Sequence, residues 1–169
     1  HEVGTPQSQD RLVYRNDNEP NRYHFAYTTE DRRYLILNTS TGTDGNSLDY
    51  LDLQAPDAQW ESLVSGFDTR CSVVDHHEGR LLVLTDDNAP TYRLVGINVQ
   101  NHLDQLDVIP ASEHLLEGVN STGGQLFATY LQNACNAVIR LDMNGSNPRV
   151  IALPTEAGSV GGFGGKSNA

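Results

Sequence analysis

One block of residues recurs along this chain at an interval of forty-odd positions, and that period limits the possible architectures more sharply than composition does. Each copy begins with an apolar strand: Arg33-Tyr34-Leu35-Ile36-Leu37, then Arg80-Leu81-Leu82-Val83-Leu84, then Gln125-Leu126-Phe127-Ala128-Thr129. A polar loop and a second strand follow at 48–53, 92–97 and 137–141, and a shorter third strand completes each copy at 60–64, 106–109 and 149–153. The spacing is 47 positions from Arg33 to Arg80 and 45 from Arg80 to Gln125. Repeats of that length, with several short strands in each, mark propeller blades, where every unit buries a sheet face against its neighbour.

The local chemistry agrees with strands. The apolar runs are short, rich in Val, Ile, Leu and Tyr, and bounded by Gly, Asn, Asp, Pro and Ser. Within 48–53 the period is two: Leu48, Tyr50 and Asp52 face one way, Leu51 and Leu53 the other. Residues 41–46, 86–90 and 132–136 occupy equivalent hairpin-loop positions. No window carries a persuasive helical stripe, and 112–117 offers one helical turn at most.

The expected fold is all-β: a partial β-propeller of about four blades made of antiparallel four-stranded sheets. Residues 1–20 read as the end of one blade, with 3–10 in a hairpin-loop position and 11–14 as the strand after it. Residues 21–66, 67–112 and 113–156 read as whole blades, and 157–169 as the innermost strand of the next. A ring that does not close leaves unpaired strand edges, so self-association through open blade edges is expected. The chain opens at His1 without an initiator methionine or a charged-then-apolar leader, so it reads as a piece of something longer.

Charge and apolar content exclude some partners. A net charge of −11 argues against nucleic acid and anionic membranes, whose phosphates are bound mainly by Lys and Arg. No apolar run approaches the roughly 20 residues of a membrane-spanning helix. The expectation is a soluble chain, cytoplasmic or periplasmic, with the compartment itself unspecified. Cys71 and Cys135 occupy non-equivalent blade positions and read as two reduced, buried thiols rather than a disulfide.

The motifs that suggest chemistry are incomplete. Ala157-Gly158-Ser159-Val160-Gly161 is a near miss to a nucleophile elbow, but no helix, later acid or later histidine follows. Residues 161–167 suggest a phosphate loop, yet Val160 stands where the motif needs its first glycine. The oxygen-rich run 142–147 lacks the remote bidentate glutamate of a calcium loop, and Asn144-Gly145 is itself a turn signal. His76 and His77 read as solvated loop residues without further ligands at metal spacing. Asn38-Thr39-Ser40 and Asn120-Ser121-Thr122 fit the N-glycosylation pattern, which matters only in a eukaryotic secretory setting. No catalytic, cofactor-binding or metal-ligating residue is assigned, and no cofactor is expected.

The wording of the repeats resembles one family. Gly4-Thr5-Pro6-Gln7-Ser8-Gln9-Asp10-Arg11-Leu12-Val13, Ala89-Pro90-Thr91-Tyr92-Arg93-Leu94-Val95 and residues 158–165 are similar to successive stretches of the propeller in prolyl oligopeptidases. Asp31-Arg32-Arg33-Tyr34-Leu35 and 48–53 fall between the first two in the matching order. The resemblance implies the middle blades of a seven-bladed propeller that caps an α/β-hydrolase domain and limits access to it. The family's catalytic serine, aspartate and histidine lie in that hydrolase domain, which this chain lacks. A cavity-lining cysteine of the family falls on Leu51 and an arginine falls near Ser47; both depart from the pattern, so neither is assigned as a binding residue.

The leading expectation is thus a catalytically inert gating fragment of a proline-specific serine endopeptidase, with the hydrolase domain and short peptides as its partners. The alternative is a propeller interaction module with no enzyme attached. A metal- or sugar-binding propeller enzyme ranks last, because the sequence offers no ligand cluster for it.

Overall fold

A computed structural model of the protein describes residues 1–155 and 158–165. It contains three antiparallel sheets of four strands each. The first comprises β1 (Tyr23–Thr28), β2 (Tyr34–Ser40), β3 (Asn46–Asp52) and β4 (Glu61–Val64). The second comprises β5 (Cys71–His77), β6 (Arg80–Thr85), β7 (Arg93–Asn98) and β8 (Gln105–Ile109). The third comprises β9 (Leu115–Thr122), β10 (Gln125–Gln132), β11 (Cys135–Asp142) and β12 (Arg149–Ile151). Each sheet is a simple meander with its strands in chain order, as propeller blades require.

Three of the hairpins close on two residues, with His77 opposite Arg80, Thr122 opposite Gln125 and Gln132 opposite Cys135. Their central residues, Glu78-Gly79, Gly123-Gly124 and Asn133-Ala134, all have positive φ, which matches the right-handed twist of the flanking strands. The third loop is therefore shorter than 132–136, because Gln132, Cys135 and Asn136 are already in the ladder.

Strand alternation builds two cores. Between the first and second sheets lie Tyr34, Ile36, Leu48, Tyr50, Leu81, Val83, Val95 and Ile97. Between the second and third lie Leu82, Leu94, Val108, Leu116, Leu126, Ala128 and Leu141. Neighbours on one strand divide between the cores, Leu81 and Val83 facing one way and Leu82 the other, so β6 is buried on both faces.

Several sequence expectations change. His76 and His77 end strand β5 and are not in a loop. Residues 112–117 make no helical turn; Leu115 already starts β9. Residues 11–14 and 158–163 form no regular strand, although the Gly158 carbonyl accepts from the Asn136 amide of β11 at 3.0 Å. The short 3₁₀ helix Gln7–Gln9 sits where a hairpin loop was expected. The extended stretches lie near the outer faces of the flanking sheets: Tyr14 packs edge-on against His24 and Trp60, and Phe163 stacks on Phe127 at 5.3 Å. Ala157 and residues 166–169 lie outside the described residues.

Candidate functional site

The chemistry of this chain is concentrated in the seam between the first and second sheets. Strand β5 is an edge of its sheet, so part of its backbone has no ladder partner and must find one elsewhere. The first sheet supplies it. The Val73 amide donates to the Tyr27 hydroxyl at 2.9 Å, and burial raises the Tyr27 pKa. Asn46 serves Cys71 as a strand would: its Oδ1 accepts from the Cys71 amide at 3.0 Å, and its Nδ2 donates to the Cys71 carbonyl at 2.8 Å.

A bulge leaves Val74 without a cross-strand partner, and the next residue, Asp75, is buried. Its Oδ1 accepts from the amides of Glu30 at 3.1 Å and His76 at 2.8 Å, and its Oδ2 accepts from Ser121 Oγ at 2.6 Å. One carboxylate therefore ties the β1–β2 turn, β5 and β9, spanning all three sheets. Each is a charge-assisted bond, stronger than a neutral one.

Beside it, His76 Nδ1 lies 2.7 Å from Asp31 Oδ2, with the Tyr34 ring edge-on at 4.8 Å. Partial burial works to raise the Asp31 pKa, but Thr29, the Arg33 amide and His76 donate to the carboxylate and hold it below the usual range. Arg33 pairs with Asp52 at 3.0 Å. Further out, the Tyr50 hydroxyl sits between Glu61 Oε2 (2.9 Å), the Val99 carbonyl (3.0 Å) and His102 Nε2 (3.1 Å). Burial first, and then the Glu61 carboxylate, push the Tyr50 pKa well up. The β7–β8 loop of the second sheet is thereby fastened to β3 of the first.

The second seam is built differently. Its core is mostly aliphatic, and close backbone approach does much of the fastening. Gly145, in the turn after β11, has φ +82°, and a Cβ there would collide with the Val108 carbonyl of β8. The Leu116 amide donates to the Thr91 carbonyl at 2.9 Å.

These pairings define what the seam can do chemically. Asp31 and His76 have the geometry of an acid orienting an imidazole, but Ser121 gives its proton to Asp75 and not to His76. That arrangement binds sheets together and does not activate a nucleophile. Thr39 Oγ1 meets His24 Nδ1 at 2.9 Å, yet Tyr14 and not an acid packs against that ring.

The sequence motifs are scattered. Ser159 lies in an irregular stretch, and Lys166 and Ser167 of the phosphate-loop candidate are outside the described residues. Asp142 Oδ2 is occupied by Asn147 Nδ2 at 2.7 Å and Ser146 Oγ at 3.3 Å, the pattern of a turn. Among the described residues no group of three His, Cys, Asp or Glu side chains is placed to hold a metal ion. Likewise no described helix is long and apolar enough to cross a membrane. Cys71 and Cys135 are not bonded to each other; Cys71 is buried, whereas Cys135 is only half-buried. Burial pushes the Cys71 thiol up to about 12. Leu51 is half-buried on β3, and Ser47 faces the same side two pairs away.

Comparison with known proteins places this architecture. A family profile described as the prolyl oligopeptidase N-terminal β-propeller domain matches residues 1–169. The chain belongs to that family. It is 39% identical over 168 residues to a prolyl endopeptidase from Elizabethkingia meningoseptica, covering 98% of this chain and 23% of that protein. A prolyl endopeptidase from Elizabethkingia miricola is 38% identical with the same coverage. Among solved structures, one from a study of two prolyl endopeptidases superposes with a TM-score of 0.89 at 28% identity, over 98% of this chain and 25% of that one. The apo prolyl oligopeptidase B of Galerina marginata shares the fold with a TM-score of 0.86. The chain thus spans about a quarter of the length of these prolyl oligopeptidase relatives. The three sheets are propeller blades of this family.

Proposed function

We propose that this chain is the non-catalytic, substrate-gating part of a proline-specific serine endopeptidase that cleaves short peptides after proline. The observation that carries the reading is the family match along the whole chain, together with relatives named as prolyl endopeptidases. In this reading residues 21–66, 67–112 and 113–156 are consecutive blades, with 1–20 and 157–169 belonging to the blades on either side. An α/β-hydrolase domain elsewhere in the protein holds the catalytic serine, aspartate and histidine, and short peptides are the substrates.

The seams give the gate a physical basis. Parting the first seam exchanges hydrogen bonds such as Tyr27–Val73, Tyr50–Val99 and Asn46–Cys71 for bonds to water. Each such exchange costs only about 0.5–1.5 kcal/mol net. Parting either seam also exposes apolar surface at about 25 cal/mol per Å². In this reading the first seam opens, because more of what holds it is directional and can be replaced by water.

The test uses the full-length protein with Tyr27→Phe and Tyr50→Phe together, which removes two cross-seam hydroxyls and keeps both rings. Cleavage is compared for a blocked glycyl-prolyl chromogenic substrate and for a long polypeptide with one internal proline. A gate predicts that kcat/KM for the polypeptide rises several-fold relative to the small substrate. An unchanged ratio would remove the gating role from this seam. Separately, a serine-directed fluorophosphonate should label a serine outside residues 1–169; stoichiometric labelling within them would overturn the non-catalytic assignment.

A further inference from the structure

The turn between β11 and β12 holds the one place in this chain where asparagine precedes glycine, Asn144-Gly145. Asparagine is a thermolabile residue, and its side-chain amide is lost by ring closure onto the next backbone nitrogen. Glycine offers no Cβ to shield that nitrogen. Asn144 is exposed to solvent, although Met143 beside it is buried in the second core. Sequence alone makes closure conceivable; the hydrogen bonds of the turn decide how far it is favoured.

The reacting side chain is held in place. Asn144 Oδ1 accepts from the Ser146 amide at 3.0 Å and from Ser146 Oγ at 2.6 Å. A bond from a side-chain oxygen to the amide two residues on folds the carboxamide back over the intervening peptide. Cγ is thereby kept beside the Gly145 nitrogen instead of swinging through solvent. Holding two reacting groups together in this way is a large part of what an intramolecular reaction gains.

The same two donors stand where negative charge develops. When the nitrogen adds to Cγ, Oδ1 becomes an oxyanion, and donors already aimed at it bind it more strongly than they bind the amide oxygen. Ser146 Oγ is 2.6 Å from Asn144 Oδ1 but 3.3 Å from Asp142 Oδ2, so its proton goes to Asn144. Asp142 Oδ2 takes its closer bond from Asn147 Nδ2 at 2.7 Å.

One bond acts as a brake. The Gly145 amide donates to the Asp142 carbonyl at 2.8 Å, and it must let go before the nitrogen attacks. It lies in the turn leading to β12, a three-residue edge strand, where local opening needs far less than global unfolding. Asn88 and Asn133 are also exposed turn residues, but alanine follows each, and its Cβ shields the nitrogen.

The geometry points to Asn144 as a site of spontaneous deamidation, with the Ser146 hydroxyl and amide as its oxyanion donors. The Gly145 amide gives its proton to solvent hydroxide, and its nitrogen forms a bond to Asn144 Cγ. The Cγ–Nδ2 bond then breaks, and Nδ2 takes a proton from water and leaves as ammonia. The resulting succinimide adds water and opens to aspartate or isoaspartate. Isoaspartate routes the main chain through the former side chain and lengthens it by one carbon. Gly145 has no room for that shift, since even a Cβ there would collide with the Val108 carbonyl of β8. The modification therefore loosens the second seam beside Val108 and Met143, and it does so whatever the role of the first.

The test incubates the full-length protein at about pH 8 and follows each asparagine by peptide mass spectrometry, with isoaspartyl methyltransferase labelling as a second readout. Asn144 is expected to convert many-fold faster than Asn88 and Asn133. Ser146→Ala should slow conversion at Asn144 several-fold, and Ser146→Thr, which keeps the hydroxyl, should restore it. The isoaspartate fraction should have a lower urea midpoint, whereas Asn144→Asp, which carries the charge on an unlengthened chain, should keep the parent value. Conversion at Asn144 no faster than at the two control asparagines, or a rate that Ser146→Ala leaves unchanged or raises, would overturn the site. Equal midpoints for the isoaspartate and Asn144→Asp proteins would overturn its effect on the seam.

Discussion

The two seams of this molecule join the same kinds of sheet by different physics. Between the first and second sheets, buried side chains mix with a set of directional bonds: Tyr27 to the Val73 amide, Asn46 to both backbone groups of Cys71, Tyr50 to the Val99 carbonyl. Between the second and third, leucine and valine dominate, with Gly145 pressed against the Val108 carbonyl. Both seams lose apolar burial on parting, and the first in addition exchanges its directional bonds for bonds to water. Asp75 belongs to both, since it takes Glu30 on one side and Ser121 on the other.

The largest effect should come from the aliphatic side. Leu126 is fully buried, and Leu126→Ala is expected to cost about 2–5 kcal/mol in urea unfolding, with little dependence on pH. A cost near zero would mean that the second seam is not closed as described. Asp75→Ala strips acceptors from two amides and the Ser121 hydroxyl and should cost about 2–3 kcal/mol. Because it touches both seams, its effect should be non-additive with a change in either one, which a double-mutant cycle would show. Tyr50→Phe keeps the ring in the first seam and removes its hydroxyl, for about 1 kcal/mol.

Smaller still is the pH term. Asp31 titrates below its ordinary value in the fold, so its contribution is present above the unfolded-state pKa of about 3.9 and is lost as pH falls through the depressed value. Stability should decline below about pH 4, and Asp31→Asn should flatten part of that slope while leaving the pH dependence of Leu126→Ala untouched. Cys71 gives a readout without any change in stability. Its raised thiol should resist iodoacetamide at pH 8, where half-buried Cys135 reacts, and labelling of Cys71 should appear only with denaturant. Equal native labelling of the two would place Cys71 outside the closed seam.

Much of the blade architecture is legible in the residues, because β2, β3, β6, β7, β10 and β11 are strands whose apolar runs fill the cores. The first strand of each sheet is not. Tyr23–Thr28 is largely exposed, and Leu115–Thr122 interrupts its apolar residues with Gly118 and Asn120, since an edge strand packs on fewer neighbours. Cys71–His77 ends in Asp75, His76 and His77, whose polarity reads as loop until their partners in other sheets are known. The ties themselves leave no local signal: Asp75 and Ser121 stand 46 residues apart, and Tyr27 and Val73 likewise.

The most direct measurement is native-state hydrogen exchange on the full-length protein. The Cys71 and Val73 amides are bonded across the first seam to side chains of the first sheet, whereas the amides of β10 lie in a central strand paired on both sides. If the first seam is the gate, the Cys71 and Val73 amides exchange through an opening well below the global unfolding free energy, and Tyr27→Phe lowers that opening further at Val73 alone. The β10 amides exchange only with global unfolding. A single opening free energy shared by both sets would contradict the account.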